Sequence, residues 1–504
     1  MSVQSIRELK RLLQTKKLSV KELVHETYKN LEKNPFGAVL DLNLQASIDE
    51  AEKVQNRINQ GEDGSLLGIP VVHKDVLVTK KWKTTAGSKF LKNYVSAFDA
   101  TVVKNLFEAG MVCVGKASCD EFAMGSANQN CAYGKCSNPW DQLAVPGGSS
   151  GGSAALVGGN FVPVATGTDT GGSIRQPAAM CGISGLKPTY GRVSRWGLIA
   201  YASSLDQAGP LTKSAYDCGL VMNSMAGYDM KDSTSFPEPN PDFCKFMNEG
   251  FSDSSIVRPL EKVSIGIPKE YLAAVSNSVL PAFQEAIRTF EFLGASIREI
   301  SLPSTPYSVA AYYVIAPAEA SSNLAKFDGI RFGQRSRGVK SLEELYTRSR
   351  TEGFGEEVKR RILVGTFVLS HGYYDAYYLQ ALKVRNLVIA DFDAAFKECN
   401  FILSPTSPVV AWDINGSPDL QKSEANFEGV PKEYLADILT VGASLAGLPA
   451  ISIPCGILEV NNRNRPIGLQ IIGKRFEEPQ VLQVANAFQT ETHWHTLSSS
   501  EDLV

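Results

Sequence analysis

The 504-residue sequence predicts an α/β fold, in which a large, mostly parallel and twisted mixed sheet is covered by helices on both faces. Three observations favour this class. Short apolar runs of strand length alternate with amphipathic helices from about residue 67 onward. Hydrophobic residues make up 43% of the chain and charged residues 20%, which is enough apolar material for a large core. No low-complexity linker divides the chain, so we expect one large domain with appended helices.

The elements follow from local patterns. Ser19 and Glu22 form a capping box in front of apolar residues at helical spacing, which predicts an early helix. A strand over 68–78, a helix over 101–109 closed by a glycine, and a strand over 111–114 come next. The same strand–helix–strand order recurs at 263–267, 280–293 and 296–300, and further strands are predicted at 401–403, 450–453 and 466–472.

These elements divide the chain into three regions. We expect residues 1–66 to form a helical region that packs on the core, 67–485 to form the single main domain, and 486–504 to form a C-terminal tail. The segment at about 229–260 is rich in Pro, Asp, Ser and Asn, which predicts a surface excursion within that domain.

Charge and composition restrict the function classes. Fifty basic residues against fifty-three acidic ones give a net charge of −3, which argues against a chain that mainly grips nucleic acid through a basic face. No apolar run is long enough to span a bilayer, and the first ten residues lack the apolar core of a secretory signal. We therefore expect a cytoplasmic protein, with an organelle matrix left open. The nine cysteines include no C-x-x-C pair, so reduced thiols are expected.

The stretch from residue 145 to 183 contains two glycine-rich segments, Pro146-Gly-Gly-Ser-Ser-Gly-Gly-Ser153 and Gly167-Thr-Asp-Thr-Gly-Gly-Ser173-Ile-Arg175. A flexible linker is one interpretation, but the adjoining apolar residues require burial. A phosphate-binding loop is another, but the order matches neither G-x-x-x-x-G-K-[ST] nor G-x-G-x-x-G. A catalytic interpretation remains, because glycines let successive backbone N–H groups point at one developing oxyanion beside a serine hydroxyl.

A serine nucleophile needs a base to take its proton. None of the five histidines has the setting of a serine triad member. Lys74 is the better candidate, because it lies inside an otherwise apolar strand, where burial lowers the pKa of a lysine. The alternative is a Lys74 ammonium that pairs with Asp75 or reaches solvent, and this strand by itself leaves both interpretations open.

Together these motifs resemble the amidase signature family. The match joins Gly68-Ile-Pro-Val-Val-His-Lys74-Asp75 to both glycine-rich segments and continues through residues 181–189 and 204–210. The resemblance implies a Ser–cis-Ser–Lys triad with Ser173 as nucleophile, Ser149 as the bridging serine after a cis peptide bond, and Lys74 as base. Ser150 is an alternative bridge, although the spacing to Ser173 favours Ser149.

The resemblance also assigns the residues around the triad. It implies an oxyanion hole made of the backbone N–H groups of Thr170, Gly171, Gly172 and Ser173. It implies that Asp169 and Arg175 brace this loop by pairing with each other. It implies no metal ion and no cofactor in this chain.

The C-terminal half resembles the glutamine-hydrolysing, tRNA-linked branch of the family, on the segments 312–333, 352–362 and 372–378. This similarity implies that Arg361 holds the α-carboxylate of glutamine, that Asp437 holds its α-amino group, and that Tyr312 lines the pocket. A register error of one residue at Tyr312 or Arg361 is one alternative. A solvated helix face for Arg360 and Arg361 is another.

The same branch implies partners. Ammonia would pass to a B subunit that binds the tRNA and uses ATP and magnesium, and a small C subunit would complete a heterotrimer without any membrane. The sequence leaves open whether a glutamyl or an aspartyl ester is amidated. A stand-alone amidase for small or hydrophobic carboxamides is the enzymatic alternative, and a scaffold built on an inactive amidase fold is the non-enzymatic one.

Overall fold

The computed structural model describes residues 5–249, 258–418 and 432–499. Within them, eleven strands form one sheet in the order β1-β3-β2-β4-β6-β5-β10-β11-β9-β7-β8. The strands are β1 (Val39–Asp41), β2 (Pro70–Lys74), β3 (Val112–Ala117), β4 (Val164–Asp169), β5 (Ser184–Lys187), β6 (Gln207–Thr212), β7 (Ser264–Pro268), β8 (Ser296–Ile300), β9 (Phe401–Pro405), β10 (Ala450–Val460) and β11 (Arg463–Ile472).

Helices surround this sheet. In chain order they are α1 (Ile6–Gln14), α2 (Val20–Glu32), α3 (Leu44–Asn59), α4 (Thr101–Glu108), α5 (Gly151–Gly158), α6 (Arg175–Cys181), α7 (Ala215–Met225), α8 (Lys245–Glu249), α9 (Lys269–Ala273), α10 (Leu280–Phe292), α11 (Thr305–Asn323), α12 (Leu342–Gly353), α13 (Glu356–Val368), α14 (Leu379–Glu398), α15 (Lys432–Leu435), α16 (Val441–Leu445) and α17 (Glu478–Glu491). In the part of the chain that the structure describes, no helix is both long and apolar enough to cross a membrane.

The α/β class and the large mixed sheet are confirmed, but the expected excess of parallel pairs is wrong. Of the ten pairings between these strands, only β2–β3, β2–β4, β7–β8 and β7–β9 are parallel. The two predicted strand–helix–strand units, β2–α4–β3 and β7–α10–β8, lie toward opposite ends of the sheet. The centre is antiparallel, because β10 and β11 form a hairpin and β6 pairs antiparallel with both β4 and β5.

The region boundaries differ from the sequence expectation in two places. The first 66 residues contain helices, with the predicted capping box at the start of α2, but they also contribute β1 to the sheet edge beside β3. The predicted tail starts inside α17, because buried apolar residues continue to Phe488 and keep the helix packed on the core. Residues 500–504 of that tail, and residues 250–257 of the predicted excursion, lie outside the described residues.

The sheet brings the two sequence motifs to one edge. Strands β2 and β4 are parallel neighbours, with His73 aligned to Thr166, so their carboxyl ends lie side by side. Lys74 ends β2, and the second glycine-rich loop follows β4. Helix α5 starts within the first glycine-rich segment, at Gly151, and α6 starts at the last residue of the second, Arg175. The loops after strands therefore meet helix N-termini, which is where open α/β sheets commonly place a site.

Candidate active site

Lys74 is completely buried and surrounded by hydroxyl groups. Its Nζ donates to Ser149 Oγ at 2.8 Å, to Ser150 Oγ at 2.9 Å and to Thr168 Oγ1 at 2.9 Å. Burial lowers the pKa of Lys74 to about 8, although several buried acids oppose this shift. A measurable fraction of the amine is therefore neutral near neutral pH and available as a base.

The alternative pairing of Lys74 with Asp75 is wrong. Asp75 Oδ1 lies 3.3 Å from Nζ of Lys116, and Oδ2 accepts the backbone N–H of Thr85 at 2.9 Å. Successive residues of an extended segment point to opposite sides, so Lys74 and Asp75 face different surroundings. Among the described residues, Lys74 thus has only hydroxyl groups as side-chain partners, while the neighbouring Asp75 carboxylate pairs with Lys116.

The two adjacent serines differ in how their hydroxyls are engaged. The Gly148–Ser149 peptide bond is cis. Ser150 Oγ donates to the Thr168 carbonyl and accepts the Thr168 N–H, both at 3.2 Å, in addition to its contact with Lys74. Within the described residues, Ser149 Oγ has Lys74 as its one hydrogen-bond partner. Ser149 therefore has a proton free to exchange with a third group, as a bridging serine requires.

Ser173 lies just before α6 and is 8% exposed. Its backbone carbonyl accepts the N–H of Ser150 at 3.2 Å, which ties the two glycine-rich loops together. In the described part of the chain, the Ser149 and Ser173 hydroxyls form no hydrogen bond with each other. Catalytic hydrogen bonds are often loose without substrate, so the missing contact does not argue against a role for these two hydroxyls.

The loop from Thr170 to Ser173 offers free backbone donors. None of its four N–H groups has a hydrogen-bond acceptor among residues 5–249, 258–418 and 432–499. The loop also needs its glycines, since a Cβ on Gly171 would lie 2.8 Å from the Tyr312 hydroxyl, and one on Gly172 would lie 2.4 Å from Thr440 Oγ1. Unpaired donors in a buried loop are suited to stabilising an oxyanion.

The predicted pair of Asp169 and Arg175 is present and fully buried. Arg175 Nη2 lies 2.9 Å from Asp169 Oδ1, and Nε donates to Oδ2 at 3.0 Å. Burial raises the pKa of Asp169, but the charge and hydrogen bonds of Arg175, together with the Lys187 charge and the Ile174 N–H, hold that pKa below its usual value. The same carboxylate accepts the N–H of Ile174 at 3.1 Å. The pair therefore fixes the turn that follows β4.

Arg361 points inward from α13. Its Nε donates to Glu357 Oε1 and its Nη1 to the Tyr201 hydroxyl, both at 2.6 Å. The predicted alternative of a solvated helix face applies to its neighbour Arg360, whose side chain is 58% exposed, but not to Arg361. Arg361 shares its buried helix face with Val358 and Gly365, at the spacing of successive helical turns.

Asp437 lies close to Arg361 and its aromatic neighbours. It accepts the Ser126 hydroxyl at 2.8 Å and the Tyr313 hydroxyl at 3.1 Å, and burial raises its pKa to about 6. The Tyr313 ring centroid lies 5.6 Å from Cζ of Arg361. Tyr312 meets Tyr313 edge to face and packs on Gly171. We call residues 170–173 the oxyanion loop. The region beside this loop is thus lined by Tyr312, Arg361 and Asp437.

The sequence reasoning missed the side chains that connect these residues, namely Tyr201, Tyr313 and Ser126. Tyr313 was within reach, because it follows Tyr312 directly, and a helix turns neighbouring residues by about 100° so that both can line a pocket. Tyr201 and Ser126 come from segments without a regular pattern, and only the folded chain brings them to this region.

The layered fold and the lysine–serine cluster define an amidase. The chain belongs to the Amidase family, whose model matches residues 22–482. Its relatives include the A subunit of glutamyl-tRNA(Gln) amidotransferase from Herminiimonas arsenicoxydans, 52% identical over 503 residues and covering 99% of this chain and 100% of that one. The crystal structure of the corresponding Thermotoga maritima protein is 40% identical, with a TM-score of 0.75 over 97% of this chain and 95% of that chain. A peptide amidase from Stenotrophomonas maltophilia is 26% identical, with a TM-score of 0.79 over 97% of both chains.

Proposed function

We propose that this chain is the glutaminase component of a glutamyl-tRNA(Gln) amidotransferase and supplies ammonia for converting Glu-tRNA(Gln) to Gln-tRNA(Gln). The observation that carries the chemistry is the buried Lys74 amine, bonded to Ser149 beside a loop of free backbone donors. The full-length similarity to the A subunits of such amidotransferases supports the choice of reaction.

The mechanism is a two-stage acyl transfer. Neutral Lys74 takes a proton from Ser149, Ser149 takes one from Ser173, and Ser173 Oγ attacks the carboxamide carbon of glutamine. The carbonyl electron pair moves onto oxygen and is held by the N–H groups of the loop after Thr170. As the C–N bond breaks, the proton returns through Ser149 to the leaving nitrogen. Water then hydrolyses the γ-glutamyl ester by the same proton route and releases glutamate.

The substrate is selected at the end of the pocket opposite the reacting serines. Arg361 Nη2 has no hydrogen bond to any described residue, which leaves it available for the α-carboxylate of glutamine. Asp437 has a pKa of about 6, so it is ionised near neutral pH and suited to the α-ammonium group. A simple amide has neither charge, and a site for such an amide would not need a buried Arg361 and Asp437.

In this proposal the ammonia is consumed elsewhere. A B subunit would bind the tRNA and use ATP and magnesium to activate the glutamyl ester, and a C subunit would complete a cytoplasmic heterotrimer. The relatives are themselves subunits of amidotransferases, which supports such an assembly. A sister activity on an aspartyl ester would use the same glutaminase chemistry in this chain.

Ammonia release from glutamine, asparagine and a simple aliphatic amide tests the proposal, with the chain alone and with its B and C partners. We expect a strong preference for glutamine, stimulation by the partners, and no activity in Ser173→Ala. In Arg361→Ala we expect about a hundredfold loss with glutamine and little loss with the simple amide, because one charged hydrogen bond is removed. Rapid, partner-independent turnover of the simple amide would instead indicate a stand-alone amidase.

A further inference from the structure

A buried carboxylate that the mechanism does not use lies between the two ends of the pocket. Asp206 is 1% exposed and immediately precedes β6. Strands β4 and β6 are antiparallel, with Asp169 aligned to Gln207. One further step along this register brings Asp206 beside Thr170, the first residue of the oxyanion loop.

Each oxygen of Asp206 serves a different segment. Oδ1 accepts the Thr170 hydroxyl at 2.7 Å. Oδ2 accepts the backbone N–H groups of Tyr201 at 2.9 Å and Ala202 at 3.1 Å. One rigid carboxylate therefore fixes the separation between the oxyanion loop and the turn that starts at Tyr201.

Tyr201 continues this connection to the substrate-selecting end. Its hydroxyl accepts from Arg361 Nη1 at 2.6 Å, and its ring centroid lies 5.3 Å from Cζ of Arg361. Thr170, Asp206, Tyr201 and Arg361 thus form one continuous chain of contacts from the oxyanion loop to the carboxylate-binding arginine.

Hydrogen bonds to two side chains of helix α11 also hold the turn that carries Tyr201. Asn323 Nδ2 donates to the Tyr201 carbonyl at 3.1 Å, and the Ser204 N–H donates to Glu319 Oε2 at 2.8 Å. Both partners lie on α11, so the turn has anchors other than Asp206. Loss of the Asp206 contacts should therefore change the spacing inside the pocket without unfolding the turn.

We propose that Asp206 is a positioning residue that sets the distance between the oxyanion loop and Arg361, and thereby selects glutamine over the shorter asparagine. The inference rests on the proposed function, because it takes the loop to hold the carboxamide oxygen and Arg361 to hold the α-carboxylate. The two amino acids share both groups and differ by one methylene, so the separation of the two binding points distinguishes them.

The test is the steady-state kinetics of Asp206→Asn with glutamine and with asparagine, measured on the full chain with its B and C partners. The new amide nitrogen would face donors at either Thr170 or Tyr201, so one side of the bridge is lost. We expect kcat/KM for glutamine to fall about tenfold to hundredfold, since hydrogen bonds to a buried charge are removed. We expect the preference for glutamine over asparagine to fall about tenfold. Thr170→Val should reproduce the loss of preference for glutamine. Thr170→Ser keeps the hydroxyl and should retain that preference.

Asp217→Asn is the matched control. Asp217 is also buried, its backbone N–H donates to Ser214 Oγ at 3.1 Å, and burial raises the pKa of its carboxyl to about 6. It lies on α7, away from the pocket, and we expect its substitution to leave the glutamine preference unchanged. An unchanged preference in Asp206→Asn, meaning equal proportional losses with glutamine and asparagine, would overturn the inference. Absence of glutamine hydrolysis in the wild-type complex would instead overturn the proposed function.

Discussion

The chemistry of this site depends at the residue scale on which partners a buried lysine receives. Lys74 is bonded to three hydroxyls and to no carboxylate among the described residues. Hydroxyls satisfy the amine donors without supplying a full negative charge, so desolvation dominates and the pKa falls. An ion pair with Asp75 would have favoured the charged amine and removed the base.

The first prediction concerns pH. In the proposed mechanism the base is the neutral form of Lys74, whose pKa burial lowers to about 8, so kcat/KM for glutamine should rise with pH and level off above about 8. Below that value the neutral fraction falls about tenfold per pH unit. Initial rates between about pH 6.5 and 9.5 measure this dependence, and a flat profile over the range would show that Lys74 is not the base.

The second prediction separates the two adjacent serines. Ser149→Ala should lower kcat by about a hundredfold to ten-thousandfold, because it removes the proton bridge. Ser150→Ala should cost less than about tenfold, because its hydroxyl is already engaged by the Thr168 backbone. Single-turnover ammonia release measures both variants. A larger loss in Ser150→Ala than in Ser149→Ala would identify Ser150 as the bridge.

At the element scale, two helices set the geometry of the proposed glutamine-binding end of the pocket. Helix α11 carries Tyr312 and Tyr313, and α13 carries Arg361. The helices approach closely where Gly365 faces Pro317, and a Cβ on Gly365 would lie 1.9 Å from the Pro317 carbonyl oxygen. The contact is with backbone, which cannot rotate away, so any side chain at residue 365 must push the helices apart.

The third prediction follows from this contact. Gly365→Ala should lower the free energy of unfolding by about 1–3 kcal/mol, the usual cost of overpacking. It should also raise KM for glutamine, because α13 moves Arg361 away from its tyrosine partners. Thermal unfolding and steady-state kinetics measure the two effects. Gly64→Ala is the control, because its Cβ would meet only Leu67 at an ordinary 3.6 Å, and equal effects of both substitutions would contradict the role of this helix contact.

For the whole molecule, the near-neutral charge bears on which component of the proposed complex binds the tRNA. A net charge of −3 provides little attraction for a polyanion. The fourth prediction is that the isolated chain binds tRNA at least about a hundredfold more weakly than the complex with its B and C partners at physiological salt. Filter binding measures both affinities. Equal affinities would place tRNA recognition on this chain.

The fold was predictable from the sequence where structure is local. The capping box at Ser19, the unit β2–α4–β3 and the unit β7–α10–β8 follow from periodicity and helix-ending glycines. The antiparallel centre was not predictable, because β5 and β6 are short, fully buried runs and β5 also pairs with β10 from a distant segment. Periodicity indicates that a strand exists, but it does not specify its neighbour.

The sequence by itself determined the chemical components of the site: a lysine in an apolar strand, two glycine-rich segments with their serines, and the acid–arginine pair after β4. Their residue types and spacing along the chain are sufficient to indicate amide chemistry. Only the tertiary structure decided which partners they receive. It paired Asp75 with Lys116, engaged Ser150 with Thr168, and joined Thr170 to Arg361 through Asp206 and Tyr201. The physical reason is that hydrogen bonds and desolvation depend on distances in space, and these are set by sheet register and helix packing.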